Sequence, residues 1–188
     1  MRRATASAGS SARWAARAIP WLEDVVYRLV ETYRGFVYPW AIDHVGHMNV
    51  QFYTARFDEA TWQFLARLGL TPSFLARNGR GAVAADQRTQ YKREVLASTL
   101  LHATTELLAI GTKSLRFVHR MYDSVTGEEV ASTELVGVYF DTVRRVSAEL
   151  PASAHAQAET LRVVGAAVDV MERDVPAEGH VPACGTAA

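Results

Sequence analysis

Hydrophobic and polar residues follow two different rhythms along this chain. From Val50 to Leu68 the apolar side chains Phe52, Tyr53, Phe57, Ala60, Phe64, Leu65 and Leu68 recur at steps of three and four, which is the period of a helix. Asn49 stands where an N-cap belongs and Gly69 where a C-cap glycine belongs. Apolar residues occupy more than one side of this segment, Phe52, Trp62 and Leu65 among them, so burial on several sides is expected. A short helix over Pro72 to Ala76 follows, ending near Asn78-Gly79. Beyond it the rhythm changes to strands, over Ala82 to Val95, Leu100 to Ile110, Ser114 to Tyr122 and Glu129 to Phe140. In the third of these Leu115, Phe117 and His119 alternate against Arg116, Val118 and Arg120, the period of two of a pleated strand. Gly111-Thr112-Lys113 and Ser124 to Glu128 supply turns.

Before the long helix, Thr32 to Tyr38 reads as a strand closed by Pro39, and Trp40 to Met48 as a loop carrying Gly46. Upstream, Trp21, Leu22, Val25, Val26, Leu29 and Val30 fall at helical spacing after Pro20, predicting a helix over Trp21 to Glu31. Ala152 to Val164 predicts a terminal helix. The layout is one strand, one long helix, then four strands joined by short turns. It predicts an α+β domain, a five-stranded antiparallel sheet wrapped around a central helix. The expected organisation is a tail over 1–20, one domain over 21–164 with flanking helices, and an Ala-, Gly- and Pro-rich tail over 165–188.

Composition narrows the function classes. The 188 residues suit a single domain, and 49% of them are hydrophobic. Lys plus Arg equals Asp plus Glu at 20 each, so no global field draws in nucleic acid or an anionic membrane. No apolar run approaches the ~20 residues that span a bilayer. The one cysteine, Cys184, allows no disulfide within the chain, and a reducing, cytoplasmic setting is the simplest expectation. Residues 1–20 are rich in Arg, Ala and Ser without an acid, a composition shared by transit peptides and ordinary tails; the tail reading is preferred because the whole chain has this bias. His44 and His47 lie three apart, but His102, His119, His155 and His180 are scattered, so neither a metal site nor any other cofactor is expected.

The candidate chemistry centres on Asp43. It sits in a Gly-containing loop just before a helix, where unpaired backbone N–H groups and a partial positive charge suit an oxyanion. A carboxylate there can serve as general base on water or attack a carbonyl directly. Taken alone, Asp, Gly and Asn before a helix read at least as readily as ordinary loop and capping residues.

The run Ile42-Asp43-His44-Val45-Gly46-His47-Met48-Asn49-Val50-Gln51-Phe52-Tyr53 resembles the signature of the 4-hydroxybenzoyl-CoA thioesterase family, which has an Asp, two spacers, Gly-His, an apolar residue, Asn, and then a helix bearing an aromatic. Phe57-Asp58-Glu59-Ala60 and the order of elements from Thr32 to Phe140 resemble it too. The resemblance implies a single hotdog domain that hydrolyses an acyl-CoA thioester. It makes Asp43 the catalytic carboxylate and the Val50 backbone amide the group that polarises the carbonyl, with His47 and Asn49 shaping the loop. Glu59 ranks second to Asp43 as a helix carboxylate. Ala41 and Val50 stand where many relatives carry Asp and Asn, which leaves Asp43 untouched but loosens the substrate. Tyr33 to Asn49 also resembles the thioesterase domain found with carnitine-degrading enzymes, which implies a small or cationic acyl group. The coenzyme's phosphates are expected to meet Lys113 and Ser114, with Lys92, Arg93, Arg116 and Arg120 as further candidates. A homodimer or homotetramer is implied. A non-catalytic acyl-CoA-binding module and a hotdog dehydratase are the alternatives.

Overall fold

The structure, a computed structural model, describes residues 26, 27 and 29–163. The tails over 1–20 and 165–188, with Cys184, lie outside the described residues. The long helix, α1, runs Val50–Arg67 and is capped by the Asn49 side chain. A second helix, α2, covers Pro72–Arg77 with Thr71 as its cap. The strands are β1 (Val26–Tyr27), β2 (Val30–Phe36), β3 (Arg80–Tyr91), β4 (Leu100–Ile110), β5 (Ser114–Asp123), β6 (Glu129–Asp141), β7 (Val146–Ser147) and β8 (Arg162–Val163). A third helix, α3, spans Ala152–Thr160.

The main sheet has the order β2-β4-β5-β6-β3, wholly antiparallel, with the two-residue β7 added beside β6. β4, β5 and β6 form the expected meander, while β2 and β3, which flank α1 in sequence, become the two outer strands. This is the five-stranded α+β arrangement expected, curled around α1. The expected helix over Trp21 to Glu31 is not found where the structure describes it. Val26–Tyr27 pairs with Arg162–Val163, and Val30 and Glu31 already pair with Thr105 and Thr104 of β4. Isolated short helices are marginal, and a ladder of backbone bonds to a finished sheet outweighs that spacing. The same pairing ends α3 at Thr160 rather than Val164.

α1 buries one stripe, Tyr53, Phe57, Ala60, Phe64 and Leu65, instead of several sides. Trp62, expected inside, is 37% exposed. Two apolar clusters result. Phe64, Leu65, Leu68 and Leu70 meet Leu107, Leu115, Phe117 and Leu135 at one end of the sheet. Tyr53 and Phe57 meet Ala41, Met48, Val95, Met121 and Val130 at the other. Each such buried side chain contributes about 1.5–3 kcal/mol. The second cluster underlies the loop that carries Asp43.

Candidate active site

The Asp43 loop is a closed, anchored turn. Ile42 and Met48 face each other as an isolated antiparallel bridge. Within it the Asp43 N–H donates to the His47 carbonyl at 3.0 Å, and the Gly46 N–H to the Asp43 carbonyl at 3.1 Å. The Asp43 Oδ1 accepts from the Val45 N–H at 2.9 Å, an Asx turn that fixes the side chain against its own backbone. Gly46 has φ +99°, a conformation that a Cβ makes costly. Two buried residues pin the turn to the core, Ala41 and Met48. The Met48 N–H donates to the Val95 carbonyl at 2.7 Å, and the Asn49 N–H to the Ala41 carbonyl at 2.9 Å.

The turn delivers the chain into α1. Asn49 uses its side-chain oxygen on the Gln51 N–H at 3.1 Å and its carbonyl on the Phe52 N–H at 2.9 Å. The Val50 N–H, in the first turn where no intrahelical acceptor exists, has no acceptor among the described residues. Val50 and Asp43 line the same cleft. Asp43, His47 and Val50 line that cleft together with Tyr53, Tyr91, Lys92 and Arg93. A free donor at the positive end of an 18-residue helix, beside a carboxylate, can polarise a carbonyl while the carboxylate acts on it or on water.

The cleft has an apolar floor and a basic lip. Tyr53 is buried, its ring 5.1 Å from that of Tyr91 and nearly perpendicular to it; burial, aided by the tyrosine and glutamate beside it, pushes its phenol up to about 12, so it stays neutral. Lys92 pairs with Glu129 at 2.6 Å and Arg93 with Glu128 at 2.9 Å. Such pairs at the surface are worth about 1 kcal/mol or less, so a phosphate can compete for either cation.

The other sequence candidates lie elsewhere. Lys113 and Ser114 sit at the opposite end of β5, in a turn whose Thr112 and Lys113 carbonyls accept from the Leu150 and Tyr139 N–H groups. Arg116 is paired with Glu134 and Arg120 with Glu106. Glu59 is ion-paired to Arg56 at 2.9 Å and borders a separate hollow with Tyr33 and Arg34, on the β2 side of α1. Asp58, one residue earlier, faces the β3 side.

Sequence reasoning overlooked Tyr91 and a buried chain around His119. That imidazole is fully buried, with Nδ1 2.6 Å from the Thr105 hydroxyl and Nε2 2.9 Å from the Thr61 hydroxyl. Thr105 in turn meets Thr32 at 2.7 Å. Burial lowers the imidazole to about 3, so it is neutral. The signal was present in the alternation that puts His119 on the face of Leu115 and Phe117.

A sheet of this order curled around one helix, with an aspartate loop at the helix start, is the hotdog arrangement. A family model described as the thioesterase-like superfamily matches residues 37–161, and the chain belongs to that superfamily. It is similar to the betainyl-CoA thioesterase of Pseudomonas aeruginosa, 27% identical over 139 residues that cover 74% of this chain and 84% of the relative. Among solved structures, a Staphylococcus aureus protein in complex with CoA superposes with TM-score 0.67 at 16% identity, covering 80% of this chain and 96% of its own. A gentisyl-coenzyme A thioesterase superposes with TM-score 0.60 at 22% identity, covering 69% and 98%. Among the described residues no helix is long and apolar enough to cross a membrane.

Proposed function

We propose that the protein hydrolyses an acyl-CoA thioester to free acid and CoA, with the Asp43 carboxylate and the Val50 backbone amide as the working pair. The observation that carries this reading is that Val50, whose N–H has no acceptor among the described residues, lines the same cleft as Asp43. The thioester oxygen accepts from that N–H, and the helix end stabilises the charge it gains as the carbonyl is attacked. Asp43 either takes the proton of an attacking water or attacks the carbonyl itself, forming an anhydride that water then opens. In both routes the C–S bond breaks, the thiolate of CoA leaves, and a proton restores the thiol. His47 and Asn49 hold the loop and the helix start. Lys92 and Arg93 take the phosphates by exchanging them for Glu129 and Glu128. Glu59, paired with Arg56 on the other side of α1, takes no part in the step.

The working form in this reading is a homodimer, alone or paired into a tetramer. β3 is bonded to β6 on one side only, and its residues 83 to 88 are all exposed. A long bare edge of this kind is ordinarily covered, and a second copy pairing there also covers the open side of α1. Lys113 and Ser114 are then free to serve the second protomer's coenzyme. The setting is the cytoplasm, where a lone cysteine stays reduced.

Replacing Asp43 by Asn tests the assignment. Turnover on a panel of acyl-CoA esters, followed by free-thiol release, is expected to fall by about 10² or more with the circular dichroism unchanged. Retained turnover sinks the role of Asp43. Wild-type protein that binds CoA esters without releasing thiol favours a binding module, and a monomer in sedimentation sinks the dimer.

A further inference from the structure

We infer that the face of the main sheet turned away from α1 carries a binding site for a phosphate-class oxyanion, centred on Ser132 and walled by Arg88, Lys92 and Arg120. This site stands without the hydrolytic reading of Asp43 and Val50.

Strand alternation builds it. Phe117 and Leu135 pack in the core with Phe64 and Leu65 of α1, so their neighbours Val118 and Glu134, and with them Arg120 and Ser132, belong to the opposite face. Ser132 is in β6, the strand between β3 and β5. Gln90 of β3 and Arg120 of β5 are its direct partners in register. Arg88 and Lys92 stand two residues to either side of Gln90, at the roughly 7–8 Å spacing of diagonal cross-strand neighbours of Ser132. Side chains as long as arginine and lysine span that distance. All five residues line one hollow of about 240 Å³, which also holds Val118 and Glu134.

Unused donors distinguish this hollow from an ordinary solvated sheet face. Ser132 is only 7% exposed, yet its hydroxyl has no hydrogen-bond partner among the described residues. The unpartnered Thr104 hydroxyl, by contrast, is sealed inside the protein. The Ser132 oxygen is not sealed, and the hollow it lines is its opening. The side chains of Arg88 and Gln90 likewise have no partner among the described residues. Arg120 meets Glu106 at 3.4 Å, long beside the roughly 2.7–2.9 Å of a charge-assisted bond. A buried hydroxyl left without an acceptor is costly. A single acceptor group over Ser132 answers its hydrogen, the Gln90 amide and both guanidinium groups together.

The charge of the lining selects the ligand. Water satisfies Ser132 by itself, but three cations face one carboxylate here, Glu134, and that carboxylate is already held by Arg116. Guanidinium forks match phosphoryl oxygens. A phosphoryl group also carries oxygens on several sides, as donors converging from two outer strands and a middle one require. A carboxylate presents both oxygens on one side and leaves donors unmet. The space amounts to roughly eight water volumes of about 30 Å³, ample for a phosphoryl group and part of its ester. Lys92 also lines the Asp43 cleft, so the two sites share one cation. The ligand is therefore either a free phosphate or the ribose phosphate of a CoA ester whose thioester lies in that cleft.

Calorimetry with inorganic phosphate on the full chain is expected to show saturable binding that chloride at equal ionic strength does not reproduce. Arg88→Gln and Arg120→Gln are each expected to weaken it about tenfold. Ser132→Ala is expected to weaken it several-fold, and Glu134→Gln to tighten it. Arg88 is exposed, so its variant is expected to keep the wild-type circular dichroism. Ser132→Ala separates a built site from diffuse attraction, which the arginine variants alone also weaken. Absence of saturable binding, or binding that Ser132→Ala leaves unchanged, overturns the inference. The source is read from KM on a CoA ester and on the matching dephospho-CoA ester, which lacks the ribose phosphate. A rise in Arg88→Gln for the first ester alone assigns the site to the coenzyme, and the same response for both assigns it to a free phosphate. If neither ester is hydrolysed, the hydrolytic reading fails while the calorimetry still decides the site.

Discussion

The oxyanion donor assigned to Val50 is a backbone group, so no ordinary change of its side chain removes it. Proline does. Val50 is the first residue of α1, the position where proline is favoured, because its missing N–H is one the helix does not use. The residue before a proline must be extended, and Asn49 already has φ −65° and ψ 142°, inside the region proline imposes on its neighbour. The Val50 N–H has no acceptor among the described residues, so Val50→Pro breaks no internal hydrogen bond. The valine side chain is itself 57% exposed, so little packing is lost. Stability is therefore expected to change by no more than about 1 kcal/mol, read by urea titration. Loss of one preorganised oxyanion donor costs about 3–4 kcal/mol of barrier. The expected kcat is then lower by about 10²–10³, with KM much less affected. Val50→Ala, which keeps the N–H, separates the effect of the side chain from that of the donor. A Val50→Pro protein that folds and turns over at the wild-type rate refutes the role of this amide.

Other expectations concern the supports of the site. His119 is near 3 when folded and near 6.5 when unfolded, so the unfolded chain binds the extra proton between these values. Its stability contribution is complete above pH 6.5 and is lost as pH falls toward 3, about 2–3 kcal/mol of it by pH 4.5. His119→Leu should flatten the urea-derived stability profile over pH 6.5 to 4.5, and an unchanged slope counts against the buried imidazole as its source. Asn49→Ala removes the cap on Gln51 and should cost about 1 kcal/mol, seen as a lower urea midpoint; no shift would mean that the cap contributes nothing. Gly46→Ala forces a Cβ onto a φ of +99° and should cost about 1 kcal/mol, with thiol release falling more than stability because the Asp43 turn moves; equal losses would detach the loop geometry from turnover.

The legible parts of the fold were those set by local pattern. The 3.6-residue period and the caps at Asn49 and Gly69 located α1 to within a residue. Alternation located β4 at Leu100–Ile110 and nearly located β5 and β6. The Trp21 to Glu31 segment misled because its apolar spacing also fits a helix, while pairing with β4 and β8 is a long-range fact. Among site candidates, Asp43, His47 and Val50 are neighbours in sequence and share one cleft. The basic candidates do not, because residue type carries no information about which end of β5 a lysine will occupy. Lys92 and Arg93 reach the cleft through the register of β3 on β6, and Lys113 is left at the far end of β5.

The sequence by itself determined the loop, the cap and the helix that begins at Val50, because these depend on the turn chemistry of Asp43 to Asn49 and on a helical period. It also carried the family resemblance that the superfamily match bears out. Only the tertiary structure decided what each face of α1 meets. Asp58 and Glu59 are adjacent carboxylates about 100° apart around one helix, and the curl of the sheet put the first on the side of β3 and the second beside Tyr33 and Arg34 of β2. The same curl buried His119 between Thr61 and Thr105, residues distant in sequence. Such contacts are fixed by the pairing of remote strands, and no local spacing encodes them.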